Sequence, residues 1–391
     1  MWSKQRRGLE CASALLTSVP HHLKQSFRIQ RWISVRSATV STLSNNLRNG
    51  GGRYVRIMEV SPRDGLQNET KSLPVGLKVD LIQKLLFSKL RNIEVGSFVS
   101  PKWVPQMAST AELISHPLLV EARKTSQPTF SCLIPNHKGL ESFKGVNFEA
   151  SPHQEPVVNE IALFASATEG FSQANLNTSV AVSLKKMEPV AEEARRLGLS
   201  IRGYVSCVFG CPYEGKVDLK QVASVSQALF DMGCYEVAIS DTIGVAVPSQ
   251  IIDCLNVLQQ TGIEPSRLGI HCHDTFGTSL ANLLTAVGMG VRTVDSSIGG
   301  IGGCPYSPGA TGNVATEDVV YALESSGFST DILNGSVIAP GVLGNDRELL
   351  KKLEPLANIG NWINLQLGRS NSSRVGRAVL ARKARQTAQA V

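Results

Sequence analysis

The fold turns on the stretch Tyr54-Val55-Arg56-Ile57-Met58-Glu59-Val60, which runs directly into Ser61-Pro62-Arg63-Asp64-Gly65. A short apolar run closed by Pro and Gly reads as a strand buried in a sheet. An open, doubly wound sheet puts a glycine-rich phosphate loop after its first strand. Here that position carries an Arg-Asp pair instead. Further β-rich segments recur at the spacing of strand-plus-helix units: Asn92–Val99, Thr129–Ile134, Glu160–Ser166, Ser200–Ser206, Glu236–Asp241, Leu268–His273 and Val294–Ile298. Helix-period stripes lie between them, such as Leu77, Leu81, Leu85 and Leu86, or Val190, Ala194 and Leu197 with Glu192, Glu193, Arg195 and Arg196 facing outward. Val222, Val225, Leu229 and Met232 repeat the period. Eight alternations predict an α/β chain folded as a (β/α)8 TIM barrel with extra C-terminal helices.

A chain of 391 residues suits one barrel with additions. Residues 1–50 read as a basic transit peptide of mitochondrial or plastid type, 51–341 as the catalytic barrel, and 342–391 as a helical extension packed on it. Leu349, Leu350, Leu353 and Leu356 form the apolar face of that extension, and the basic Arg374–Val391 segment is expected to fray. The net charge of +7 misleads. Residues 1–50 hold eight Lys/Arg and one acid, so subtraction from totals of 39 and 32 leaves 31 of each sign in the remainder. A neutral body gives no reason to expect nucleic acid as a partner. No apolar run reaches the roughly 18 residues a spanning helix needs, so no membrane partner is expected. Eight scattered cysteines, Cys132, Cys234 and Cys254 among them within apolar runs, fit free thiols. Cys207-x-x-x-Cys211 lacks the second pair that a structural zinc site requires.

In a closed barrel strand 8 pairs with strand 1, and the C-terminal ends of the strands form the rim that carries the chemistry. His271 and His273, two apart on a strand, share a face and aim both imidazoles into the mouth. Asp274 points the other way and suits a helix cap. Asp64 adds an anionic oxygen and Asn313 a neutral one. Two imidazoles with two oxygens suit an octahedral divalent ion, Mg2+ or Mn2+, with positions open to a substrate. Arg63 either pairs with an acid such as Glu94 or stabilises a developing enolate oxygen. Gly299, Gly300, Gly302 and Gly303 allow a lid or a close approach to ligand, ending at Cys304, a residue of packing or a thiol proton donor.

Together these strings resemble the 3-hydroxy-3-methylglutaryl-CoA lyases of the TIM-barrel metallolyase superfamily. The resemblance runs from about residue 54 to 370. It rests on Ser61–Glu69, Ser97-Phe98-Val99-Ser100-Pro101-Lys102-Trp103-Val104-Pro105-Gln106-Met107, Gly203–Cys207, Gly210–Gly215, His271–Thr275 and Gly302-Gly303-Cys304-Pro305-Tyr306. It implies retro-Claisen cleavage of a CoA thioester, 3-hydroxy-3-methylglutaryl-CoA, to acetoacetate and acetyl-CoA, as in leucine catabolism and ketone body formation. It also implies Mg2+ or Mn2+ on Asp64, His271, His273 and Asn313, and no organic cofactor. Arg63 would steady the enolate and Cys304 would protonate it. Asp241 and Glu94 would handle or orient protons, and His271 could share the base role. Arg63, Gln67 and Ser97 would bind substrate, Glu317 would support Asn313, and Lys102 and Lys138 are candidates for the CoA phosphates. A homo-oligomer, dimer or tetramer, in the mitochondrial matrix is expected. The stretch from Asn136 to Phe164 runs about ten residues longer than such proteins suggest, which puts the third helix in doubt. The competing expectations are a related synthase condensing acetyl-CoA with an α-keto acid, whose extra regulatory domain this chain has no room for, and a silent barrel that only binds CoA thioesters.

Overall fold

Eight parallel strands close on themselves in chain order. They are β1 (Arg56–Glu59), β2 (Asn92–Ser97), β3 (Thr129–Leu133), β4 (Glu160–Ser166), β5 (Ser200–Ser206), β6 (Glu236–Asp241), β7 (Leu268–Cys272) and β8 (Thr293–Ser296). This computed structural model describes residues 53–70, 72–149, 155–303, 312–332 and 347–389. The chain divides into two units, Met1–Gly51 and Gly52–Val391, and the described residues belong to the second. The closing seam pairs Arg56 with Thr293 through Glu59 with Ser296, which makes the first and last strands neighbours. Three strands have the bounds expected from sequence. Others are shorter because the ends of their apolar runs leave the barrel to hold loops. Tyr54 bridges Ser329, His273 bridges Asn313, and Ser297 bridges Ala315.

The helices that alternate with the strands follow the predicted stripes. In α1 (Val75–Phe87), Leu81 and Leu85 are buried; in the long helix Val180–Arg196, Val190 and Ala194 are. That long helix starts where Ser179 Oγ accepts from Val182 N at 3.3 Å. The doubted third helix is present as His137–Lys144, capped by Asn136 Oδ1 on Gly139 N at 3.0 Å. The chain after it is held as a strand would be, because the Asn147 side chain both donates to Val158 O and accepts from Val158 N. Among the described residues no helix is long and apolar enough to cross a membrane.

The extension is two helices, Arg347–Gln366 and Arg374–Gln389. Leu353 and Leu356 are fully buried, each contributing roughly 1.5–3 kcal/mol. The side chains of Leu349 and Leu350 lie outside the described residues. The last helix continues to Gln389. Its N-terminus is capped from another helix, where Asp318 accepts from Val375 N at 2.8 Å and from Ser373 Oγ at 2.6 Å. Ser373 adds a local cap, its Oγ accepting from Gly376 N at 2.7 Å.

The apolar core lies between strands and helices. The inside of the barrel is mostly polar. Arg202, among the largest fully buried side chains, donates through Nε to Glu236 at 2.8 Å, through Nη1 to the Tyr204 hydroxyl at 2.7 Å, and through Nη2 to Asp295 at 2.7 Å. Arg56 and Thr293 donate to the other oxygen of Glu236. Such a buried ionic lattice contributes little net stability when complete, and losing one partner costs about 3–5 kcal/mol.

Candidate metal centre

Past β1 the chain makes a single turn, Ser61–Gly65, in which the amides of Arg63 and Gly65 both donate to Val60 O. Glu59, buried at the strand end, accepts from Ser61 N, from Ile298 N at 2.9 Å and from Thr316 Oγ1 at 2.6 Å. One carboxylate thus fastens the Arg-Asp turn to the loop after β8, and burial pushes its pKa up.

Asp64 Oδ2 sits 3.9 Å from His271 Nε2 and 3.6 Å from His273 Nε2. Ligand atoms of these three residues all lie within 4.8 Å of one another. The separations are too long for hydrogen bonds. Ligands bonded about 2.1 Å from one ion lie about 3–4.2 Å apart, and these two distances fall in that window. Burial opposes ionisation of Asp64, but Arg63, His273 and His271 together outweigh it and hold the carboxyl well below its ordinary range. Asn313, buried on the strand-like segment beside His273, donates its amide to Asp64 Oδ2 at 2.8 Å. A half-turn of that amide, whose terminal torsion is broadly two-fold, would present its oxygen instead. Hard oxygens with two imidazoles therefore fit a divalent cation of the Mg2+ or Mn2+ kind.

Arg63 pairs with two acids. Its guanidinium bonds Asp64 at 2.6 Å and Glu94 at 2.8 Å, lies 5.7 Å from the Tyr204 ring, and stands beside the His-Asp cluster. Burial works against its charge, yet Glu94 and Asp64 prevail and raise its pKa. Glu94 is fully buried, accepts from the Tyr204 hydroxyl at 3.2 Å and leaves Oε1 with no hydrogen-bond partner. Burial, only partly offset by Arg63, raises its pKa. Asp241 spends its oxygens on the amides of Val245 at 3.0 Å and Ala246 at 2.9 Å, bracing the loop after β6. Burial raises its pKa too. Asp274 caps the next helix by accepting from Ser279, as its outward direction predicts.

Other predicted residues fall differently. Ser97 is buried, its hydroxyl donating to Leu133 O and accepting from Val99 N. Gln67 is half-buried at the edge of the Arg-Asp turn, and Lys102 and Lys138 are exposed. Cys304 lies outside the described residues. Glu317 makes no hydrogen bond to Asn313 but accepts from Gly299 N at 2.8 Å, a correction that follows from its place at the start of helix Thr316–Ser325. Nor do all four glycines serve a lid. Gly299 and Gly300 form a buried turn with φ of +64°, and a Cβ on Gly299 would collide with Asn364 Nδ2 and come 2.8 Å from Gly360 O.

Sequence reading missed Asp295, Arg202 and Tyr204. Asp295 Oδ2 lies 3.2 Å from His271 Nδ1. The usable signal was an Arg and an Asp within otherwise apolar strands, at positions that share the inner face. Buried charges of opposite sign on different strands imply a pair.

Residues 54–339 match the HMGL-like family model. The chain is 41% identical over 326 residues to the mitochondrial hydroxymethylglutaryl-CoA lyase of Macaca fascicularis, which spans 83% of this chain and 90% of that one. It is 44% identical over 330 residues to the 3-hydroxy-3-isohexenylglutaryl-CoA/hydroxy-methylglutaryl-CoA lyase of Pseudomonas aeruginosa, with 84% and 98% covered. The crystal structure of hydroxymethylglutaryl-CoA lyase from Pseudomonas aeruginosa superposes with a TM-score of 0.71 at 41% identity, covering 85% of this chain and 99% of that one.

Proposed function

The chain belongs to the HMGL-like family, and on that premise we propose that it cleaves 3-hydroxy-3-methylglutaryl-CoA to acetoacetate and acetyl-CoA. The observation that carries this is the Asp64, His271 and His273 cluster, with Arg63 beside it, at the rim of a barrel about 41% identical to such lyases. A divalent cation bound there supplies Lewis acidity at substrate oxygens; Asp64, His271, His273 and Asn313 are the residues to hold it. The proton of the C3 hydroxyl leaves, its oxygen becomes the ketone of acetoacetate, and the C2–C3 bond breaks. That bonding pair passes into the thioester as an enolate, which takes a proton at C2. Arg63 places a permanent positive charge beside the enolate oxygen. Glu94, with a bare oxygen and a raised pKa, suits the hydroxyl proton, and Asp241, whose own carbonyl accepts from His273 N, orients the loop after β6. An imidazole that spends its lone pair on a cation makes a poor base, so His271 serves as ligand. Cys304 is the proposed donor to C2. The test is incubation of the purified chain with 3-hydroxy-3-methylglutaryl-CoA and Mg2+. Equimolar acetoacetate and acetyl-CoA, suppressed by a chelator, is the expected result, and no acetoacetate would refute the reading.

Residues 1–50 act as a leader to the mitochondrial matrix, supported by eight basic residues against one acid and by a relative whose name is mitochondrial. Residues 51–341 form the catalytic barrel and 342–391 an extension packed on it. A dimer or tetramer is the proposed assembly. Imaging a reporter fused to residues 1–50 and light scattering of the purified chain test these two points.

A further inference from the structure

We infer that Asp295 is a positioning residue of the metal centre: it fixes the ring of His271 so that Nε2 carries the lone pair facing Asp64. The inference rests on the metal-centre reading above. A neutral imidazole has one N–H and one bare nitrogen, and which is which depends on its neighbours. The terminal torsion of His is broad, so the ring also needs an external stop. Asp295 supplies both. It is buried on β8, with Oδ2 3.2 Å from His271 Nδ1, and His271 Nε2 on the far side of the ring faces Asp64 Oδ2 at 3.9 Å.

Asp295 cannot turn away, because Arg202 grips both its oxygens, Nη2 to Oδ1 at 2.7 Å and Nη1 to Oδ2 at 3.1 Å. Arg202 is pinned in turn by Glu236 and Tyr204. Arg202 can only donate, and it does so to both carboxylate oxygens. The carboxylate is therefore an acceptor only, and the hydrogen on Nδ1 is the one it can take. A carboxylate behind a ligating imidazole both sets the tautomer and raises the basicity of the other nitrogen, and loss of such a partner weakens metal binding about 10–100-fold.

Asp295→Asn makes the chemistry explicit. Its amide has one acceptor and one donor, and Arg202, which only donates, takes the oxygen. The amide nitrogen then faces His271 Nδ1, which must become the acceptor, and the ring hydrogen moves to Nε2, where the cation would bind. Glu236→Gln is the control, because it disturbs the same Arg202 without touching His271.

The experiment reads Mn2+ affinity by electron paramagnetic resonance of the free ion, on the purified full chain without substrate. Asp295→Asn should bind about 10–100-fold more weakly than wild type, with Glu236→Gln within about threefold. Equal affinity of Asp295→Asn and wild type, or equal weakening by both variants, would overturn the positioning role. Wild type without a tight Mn2+ site, or Asp64→Asn binding as wild type does, would instead sink the metal-centre reading itself. Should Asp295→Asn fail to fold, nitrogen-15 spectra of Mg2+-saturated wild type still decide. The His271 ring hydrogen should sit on Nδ1, and finding it on Nε2 would overturn the inference.

Discussion

At the scale of single residues, Arg63 separates a structural role from a chemical one. Arg63→Met removes a buried cation from Glu94, but Glu94 already has a raised pKa and can take up a proton, which softens the loss of stability. The enolate has no such remedy. Turnover should fall about 10²–10³-fold, the scale of a lost oxyanion donor, while the folded state persists; steady-state kinetics beside a melting curve reads both. Glu317 gives a prediction in pH. Its carboxyl is pushed up to about 8, chiefly by burial, against an ordinary value of 4.5. The raised pKa means the fold prefers it protonated. Its contribution is therefore complete below about pH 4.5, declines as pH rises towards 8, and is flat beyond. Glu317→Gln should lose that decline, so denaturant midpoints of variant and wild type should converge or cross between pH 5 and 8 (about the window set by those two values). A parallel pH dependence would contradict it. Asp64, His271 and His273 were legible because strand parity and a closed barrel place them without coordinates. Asp295 was not, since its meeting with His271 depends on side-chain reach between adjacent strands.

At the scale of elements, the helix Arg347–Gln366 reverses a general preference. Alanine is favoured over glycine inside a helix by about 1 kcal/mol. At Gly360, however, a Cβ would collide with Glu317 Oε1 and come within 3.0 Å of Gly299 Cα. Gly360→Ala should destabilise by about 1–3 kcal/mol, as overpacking does, and should impair turnover through the loop after β8. Gly76, whose Cβ would meet nothing within 4 Å, is the comparison site, and Gly76→Ala should be neutral or stabilising by about 0.5–1 kcal/mol in urea unfolding. The helix stripes and most strands could be read from periodicity. The β8 loop could not, because four glycines suggest mobility, and only the packing against Asn364 and Gly360 reveals that the first two are clamped. The start of the last helix is legible in part: Ser373, its local cap, adjoins it, whereas Asp318, which also accepts from its first amides, lies 56 residues before Arg374 in the chain.

At the scale of the whole molecule, alternation of eight strands with helices implied closure. Closure alone brings β1, β7 and β8 to one rim. The folded chain should then gain stability from a cation by mass action, about 2.7 kcal/mol at a hundred times the dissociation constant, an increment that a chelator removes. The proposed chemistry depends on where that cation sits. The direct measurement is an anomalous difference map from crystals of the full chain grown with saturating Mn2+. One peak about 2.0–2.3 Å from a carboxylate oxygen of Asp64 and from Nε2 of both His271 and His273 is the predicted result. No peak among those three side chains, or one bonded to neither imidazole, would contradict the account.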